Sequence, residues 1–188
     1  MKLLVTGFGP FPGVPFNSSD ALVSGWIRNR PDWHFDDLRF EVLPTAYEAA
    51  GTRVAELLRE FRPARALLLG VAGADCGIRM ERFALNIDDG AAPDEAGQRR
   101  QARSIVAGAP DALRTMLDLE QMHGALIDQG VNAEISNHAG AYVCNHAYYC
   151  ALHAAAAMMP PCKVLFVHLP RPREGATPGD CAFPGGTR

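Results

Sequence analysis

The stretch Tyr47-Glu48-Ala49-Ala50-Gly51-Thr52-Arg53-Val54-Ala55-Glu56-Leu57-Leu58-Arg59-Glu60-Phe61, followed after three residues by Arg65-Ala66-Leu67-Leu68-Leu69-Gly70-Val71, decides the fold. Apolar residues at Ala50, Val54, Leu57, Leu58 and Phe61 recur at the three-to-four spacing of a helix with one buried stripe. The second run is apolar almost throughout and ends in glycine-rich sequence, as a strand covered on both faces does. A helix feeding such a strand is the building unit of a sheet with helices packed on it.

The same rhythm extends in both directions. Lys2–Thr6 reads as a buried strand, Ser19–Arg30 as a helix capped by Ser18 or Ser19, and Leu38–Leu43 and Met80–Ile87 as alternating strands. No period is visible from Gln98 to Pro110. A helix around Leu117–Gln129 and a short strand near Ala133–Ile135 follow, then the longest helix, Tyr142–Met159, and an apolar strand, Lys163–Leu169. The pattern predicts an α/β three-layer sandwich, with a mixed, mostly parallel sheet flanked by helices, as one domain over residues 1–170. Residues 171–188 form a proline- and glycine-rich tail with no helical pattern.

Composition narrows the function classes. At 188 residues the chain can bury a core without disulfides or a metal. Eighteen Lys and Arg against 21 Asp and Glu leave a net charge of −3, which offers no electrostatic footprint for nucleic acid or an anionic membrane. The first seven residues are too short an apolar run for a signal peptide, and Ala154 to Met159 is far too short to span a bilayer. Five cysteines with no CxxC spacing point to reduced thiols, so a cytoplasmic location is expected.

Three features carry chemistry. The first is the loop Thr6-Gly7-Phe8-Gly9-Pro10-Phe11-Pro12-Gly13-Val14-Pro15-Phe16-Asn17. Its glycines are spaced GxGxxxG and its prolines prevent an immediate helix, which argues against a dinucleotide fingerprint. Its phenylalanines suit an apolar slot for a small flat ligand with Asn17 as an amide partner, or else they simply close the core. The second is Cys144, within the first turn of the longest helix, where unpaired amides and the helix dipole favour an anion. Cys150 and Cys162 read as packing residues, and Cys76 and Cys181 have no base near them in sequence.

The third feature is the pair His168 and Glu81. His168 ends an apolar strand, where open α/β sheets place their sites, although a hydrogen-bonded structural histidine fits there too. Glu81 alternates onto the face of Phe83, Leu85 and Ile87, and a carboxylate on an apolar face requires a partner. That partner is a base to orient or a structural arginine; the adjacent Arg82 points the other way in a regular strand. A rival arrangement is His146, Cys150 and His153 on one helix face, a potential zinc set that lacks a fourth ligand.

These motifs resemble the pyroglutamyl peptidase I family of cysteine peptidases over roughly Lys2 to Pro170. The resemblance rests on Thr6-Gly7-Phe8 with Pro10-Phe11 and Asn17, on Glu81 to Asp89, on Ser136-Asn137 with Ala139-Gly140 and Val143-Cys144-Asn145, and on His168-Leu169-Pro170. It implies Cys144 as nucleophile, His168 as general base and Glu81 as the acid that orients it. Phe8, Phe11 and Asn17 would hold the pyrrolidone ring. It also implies peptides with N-terminal pyroglutamate as partners, homo-oligomers, and chemistry with no cofactor or metal. The family pattern Gly-Gln-Ala-Gly-Gly-Arg stands here as Gly70-Val71-Ala72-Gly73-Ala74-Asp75, so Val71 replaces a polar pocket residue. Ala91 replaces an arginine, and the tail replaces a final helix. Two other readings stay open: a thiol amidase with drifted acyl preference, and a catalytically silent binding protein.

Overall fold

The computed structural model describes residues 1–11, 13–14, 16–71 and 77–170; the tail at 171–188, Cys76 and Cys181 lie outside the described residues. Strands β1 (Lys2–Phe8), β2 (Asp37–Leu43) and β3 (Arg65–Val71) alternate with helices α1 (Ser18–Arg28) and α2 (Tyr47–Phe61). Then come β4 (Ile78–Leu85), β5 (Ala112–Arg114), α3 (Leu119–Asp128), β6 (Ala133–His138), α4 (Val143–Ala156) and β7 (Lys163–Leu169). The strands form one seven-stranded sheet ordered β2-β1-β3-β7-β4-β5, with β6 also on β4. β2, β1, β3 and β7 are parallel, and β4 runs against β7. Glu81 pairs with both Phe166 and Ser136, and Phe83 with both His138 and Arg114. β6 therefore flanks one edge of β4, while β7 and then β5 share the other.

Two cores explain the layers. Leu57, Leu58, Val54, Tyr148, Val164 and Phe166 join α2 and α4 to one face. Val5, Val23, Leu69, Met80, Leu119 and Val167 join α1 and α3 to the other. Each fully buried aliphatic side chain contributes about 1.5–3 kcal/mol, which outweighs the modest helix propensity of segments this short. No helix among the described residues is long and apolar enough to cross a membrane.

The boundaries depart from expectation in instructive ways. β1 runs on to Phe8, so Phe8 belongs to the sheet and is buried in the core. The cap of α1 is Asn17, whose Oδ1 accepts from Ser19 N at 3.0 Å, and not a serine. β4 starts two residues early and ends at Leu85, and its alternation breaks: Ala84, instead of Phe83 or Leu85, joins the core that Glu81 faces. Asn145 of α4 grips that end of the strand, accepting from Leu85 N at 2.8 Å and donating to Leu85 O and Ile87 O. β6 continues through Ser136 to His138, three residues beyond the short strand expected near Ala133–Ile135. β5 was not expected, because a three-residue strand carries no period.

Candidate active site

Three elements meet at the carboxyl end of the central strands. β7 brings His168, β4 brings Glu81, and the start of α4 brings Cys144. Antiparallel pairing sets Arg79 opposite His168 and Glu81 opposite Phe166, so Glu81 lies diagonally within reach of the imidazole. His168 Nδ1 and Glu81 Oε1 are 2.7 Å apart. Both groups are buried, at 7% and 1% exposure, and Glu81 takes no arginine: Arg82 reaches Glu120 at 3.0 Å instead. Tyr148 donates to the Glu81 carbonyl at 3.0 Å and steadies the strand beneath it.

With Nδ1 engaged by Glu81, Nε2 is left for Cys144, which lines the same cavity and acts on the ring. Burial by itself lowers the imidazole pKa, but the hydrogen bonds to Cys144 and Glu81, and their charges, more than offset it and raise it to about 9. His168 is therefore an imidazolium at neutral pH. Tyr142 caps α4 in an extended conformation without a side-chain bond, and the first intrahelical bond runs from His146 N to Tyr142 O. The amides of Val143, Cys144 and Asn145 precede that bond and are aimed out of the helix start, where they favour negative charge.

Local backbone makes this approach possible. A Cβ on Gly70 would sit 2.7 Å from Phe166 Cζ and 3.0 Å from Cys144 Sγ, so β3 passes directly under the thiol. Gly140, at φ +81°, turns the chain from β6 into α4 through a region that an L side chain rarely adopts. A cavity of about 630 Å³ opens over the group, lined by Val71, Arg79, Ser136, Tyr142, Cys144 and His168 among others.

The loop residues divide. Phe8 is 6.2 Å from Phe166, which is 4.9 Å from His168, giving an aromatic column under the imidazole. Phe11 packs 6.2 Å from Tyr142, beside the helix start. Asn17 differs from its expected part as an amide partner for a ligand. Its Oδ1 also accepts from Ser19 Oγ at 2.8 Å, and its Nδ2 donates to Gly9 O at 2.9 Å, so the amide caps α1 and braces the loop.

The rival set on α4 does not converge. His146 Nδ1 turns to Asp88 Oδ2 at 2.9 Å and His153 stacks on Tyr149, and no three His, Cys, Asp or Glu side chains form a ligand group among the described residues. These residues border a larger cavity, about 980 Å³ between α2 and α4, that contains none of Glu81, Cys144 and His168. Sequence reasoning missed the buried Arg100, which donates to Asp88 at 2.7 Å and lies over the Tyr47 ring, whereas Ala91 is exposed. It also missed Tyr142 and Asn145. Two other thiols are silenced, because burial pushes Cys150 and Cys162 up to about 12. Substoichiometric iodoacetamide near neutral pH is therefore expected to label Cys144 before Cys150 and Cys162; peptide mapping that finds equal labelling of these three would contradict the arrangement.

Comparison with known proteins follows the same geometry. A family model described as pyroglutamyl peptidase matches residues 1–178. A pyrrolidone-carboxylate peptidase of Oceanobacillus iheyensis is 34% identical over 170 residues, covering 90% of this chain and 83% of that protein. One from Thermococcus onnurineus is 35% identical over 179 residues, covering 94% and 86%. The solved structure of a mutant pyrrolidone carboxyl peptidase from Pyrococcus furiosus superposes with a TM-score of 0.84 at 32% identity, covering 93% of this chain and 83% of that one.

Proposed function

This chain belongs to the pyroglutamyl peptidase family, and from that premise we propose that it is a cysteine exopeptidase that removes N-terminal pyroglutamate from peptides. The observation that carries the reading is the imidazole of His168 held between the Glu81 carboxylate and the Cys144 thiol. A thiolate beside an imidazolium, oriented by a third buried group, is the arrangement acyl transfer requires.

The Cys144 sulfur attacks the carbonyl carbon that joins pyroglutamate to the next residue. The amides at the start of α4 hold the oxyanion. As the tetrahedral intermediate collapses, His168 gives its Nε2 proton to the departing nitrogen, the C–N bond breaks, and a thioester remains on Cys144. Neutral His168 then takes a proton from water, whose oxygen attacks the thioester. The C–S bond breaks, pyroglutamate leaves, and thiolate and imidazolium are restored. Glu81 keeps Nδ1 as the donor and stabilises the imidazolium.

A lactam presents no charged amine, so it enters an aromatic slot without the desolvation that a free N-terminus would demand. Phe11 with Tyr142 supplies such a surface beside the helix start, the buried column of Phe8 and Phe166 supports the imidazole from beneath, and Asn17 acts by holding the loop. Val71 puts an apolar side chain at one wall, which favours the ring's methylenes over an extra hydrogen bond.

The test is acid-quenched turnover of a pyroglutamyl coumarin amide. Coumarin release, with a pyroglutamyl group found on the Cys144 peptide by mass spectrometry, is the expected result. Tight binding of a pyrrolidone ligand with no release would instead establish a silent binding protein. Light scattering on the same sample checks the homo-oligomer that the resemblance implies.

A further inference from the structure

The sheet places three charged residues in one row across the pocket floor. His168 on β7, Arg79 on β4 and Glu134 on β6 are consecutive register partners, so their side chains share a face and stand side by side. The next row, Phe166, Glu81 and Ser136, lies directly below. Arg79 and Glu134 both line the cavity that holds Cys144 and His168. Arg79 Nε is 2.6 Å from Glu134 Oε1, and both side chains are partly exposed, at 35% and 51%.

The reaction chemistry gives this row a direction. The acyl group ends on Cys144 and the leaving nitrogen departs from beside His168, so the leaving residue emerges on the side of the imidazole that carries Arg79. In a pyroglutamyl dipeptide the carboxylate lies only two bonds beyond the leaving nitrogen. It therefore arrives next to the guanidinium that neighbours His168. Longer or amidated peptides place a neutral amide there.

We propose that Arg79 is a specificity residue that binds the free carboxylate of the leaving amino acid, so that the preferred substrates are pyroglutamyl dipeptides. A guanidinium presents paired donors that match a carboxylate and discriminate against an amide. Glu134 holds the guanidinium in place while the site is empty. Because it is half exposed, water takes over its solvation once the substrate carboxylate displaces it. Glu134 is thus a competitor within the site, and its removal strengthens the preference. Among the described residues that line this cavity, Arg79 is the one arginine and there is no lysine.

This inference rests on the peptidase reading, and the experiment separates the two. kcat/KM is measured for pyroglutamyl-alanine and for pyroglutamyl-alanine amide, and the ratio is expected to favour the free acid about tenfold and to shrink as salt is added. In Arg79→Gln the ratio falls to near one, and in Glu134→Gln it rises. The same two compounds are titrated calorimetrically against Cys144→Ser, where the ratio of dissociation constants should follow the same order. A wild-type ratio near one in both assays, or an unchanged ratio in Arg79→Gln, overturns the assignment of Arg79. Selective binding of the acid without turnover in the wild type would sink the peptidase reading and leave the carboxylate site standing.

Discussion

Replacing Cys144 by serine abolishes turnover: kcat/KM for a pyroglutamyl amide falls on the order of 10⁴-fold, with little change in melting temperature. The exchange leaves volume and position nearly unaltered, so the contacts of this side chain above Gly70 and Phe166 persist. What is lost is the sulfur nucleophile. A serine hydroxyl is not ionised near neutral pH, and without the thiol one of the interactions that hold His168 at about 9 disappears. The imidazole then needs to act as a base toward a weak nucleophile, in a site arranged for an ion pair. No other described thiol substitutes, because burial holds Cys150 and Cys162 near 12 and neither lines the cavity that contains His168. Retention of more than a tenth of the activity would place the nucleophile elsewhere.

Glu81→Gln lowers kcat about 10³-fold, by analogy with carboxamide replacement of the orienting acid in other triads. It also moves the alkaline limb of the rate profile. In the wild type, activity falls as pH rises through about 9, where His168 loses the proton it must give to the leaving nitrogen. Glutamine can still accept from Nδ1, so the 2.7 Å contact has a replacement, but the charge that raises the imidazole is gone. The limb therefore shifts to lower pH. Stability follows the same sign. A histidine raised from 6.5 to about 9 on folding contributes stability that is complete below pH 6.5 and is lost as pH rises through 9. The wild-type melting temperature should decline over that window, and the variant's should decline less. A variant with wild-type rate and an unmoved limb would show Glu81 to be a packing residue.

Much of this architecture was legible from periodicity. The helix over 47–61 and the strands over 65–71 and 163–169 match expectation, because a buried stripe or a doubly covered strand imposes its own spacing. Glu81 and Cys144 were visible for local reasons: a carboxylate on an apolar strand, and a thiol at a helix start. Asn17 was visible as a polar residue at a loop end, but its work as a cap depends on where α1 begins, which shifted by one residue. The turn of β4 at Phe83 and Ala84 was hidden, since the grip of Asn145 comes from sixty residues away. Arg100 was hidden too. It sits in a stretch with no period, and only the fold carries it to Asp88 and the Tyr47 ring.

By itself the sequence determined the layers, the strand and helix types, and which side chains were chemically out of place. Those properties follow from spacing along the chain and from the cost of burying polarity. The tertiary structure alone decided which of those side chains meet. Glu81 and His168 are 87 positions apart, and their contact depends on β4 running antiparallel to β7 in one register. A slip of one residue would turn Glu81 to the opposite face. The same register sets Arg79 between His168 and Glu134, a row that no local pattern encodes.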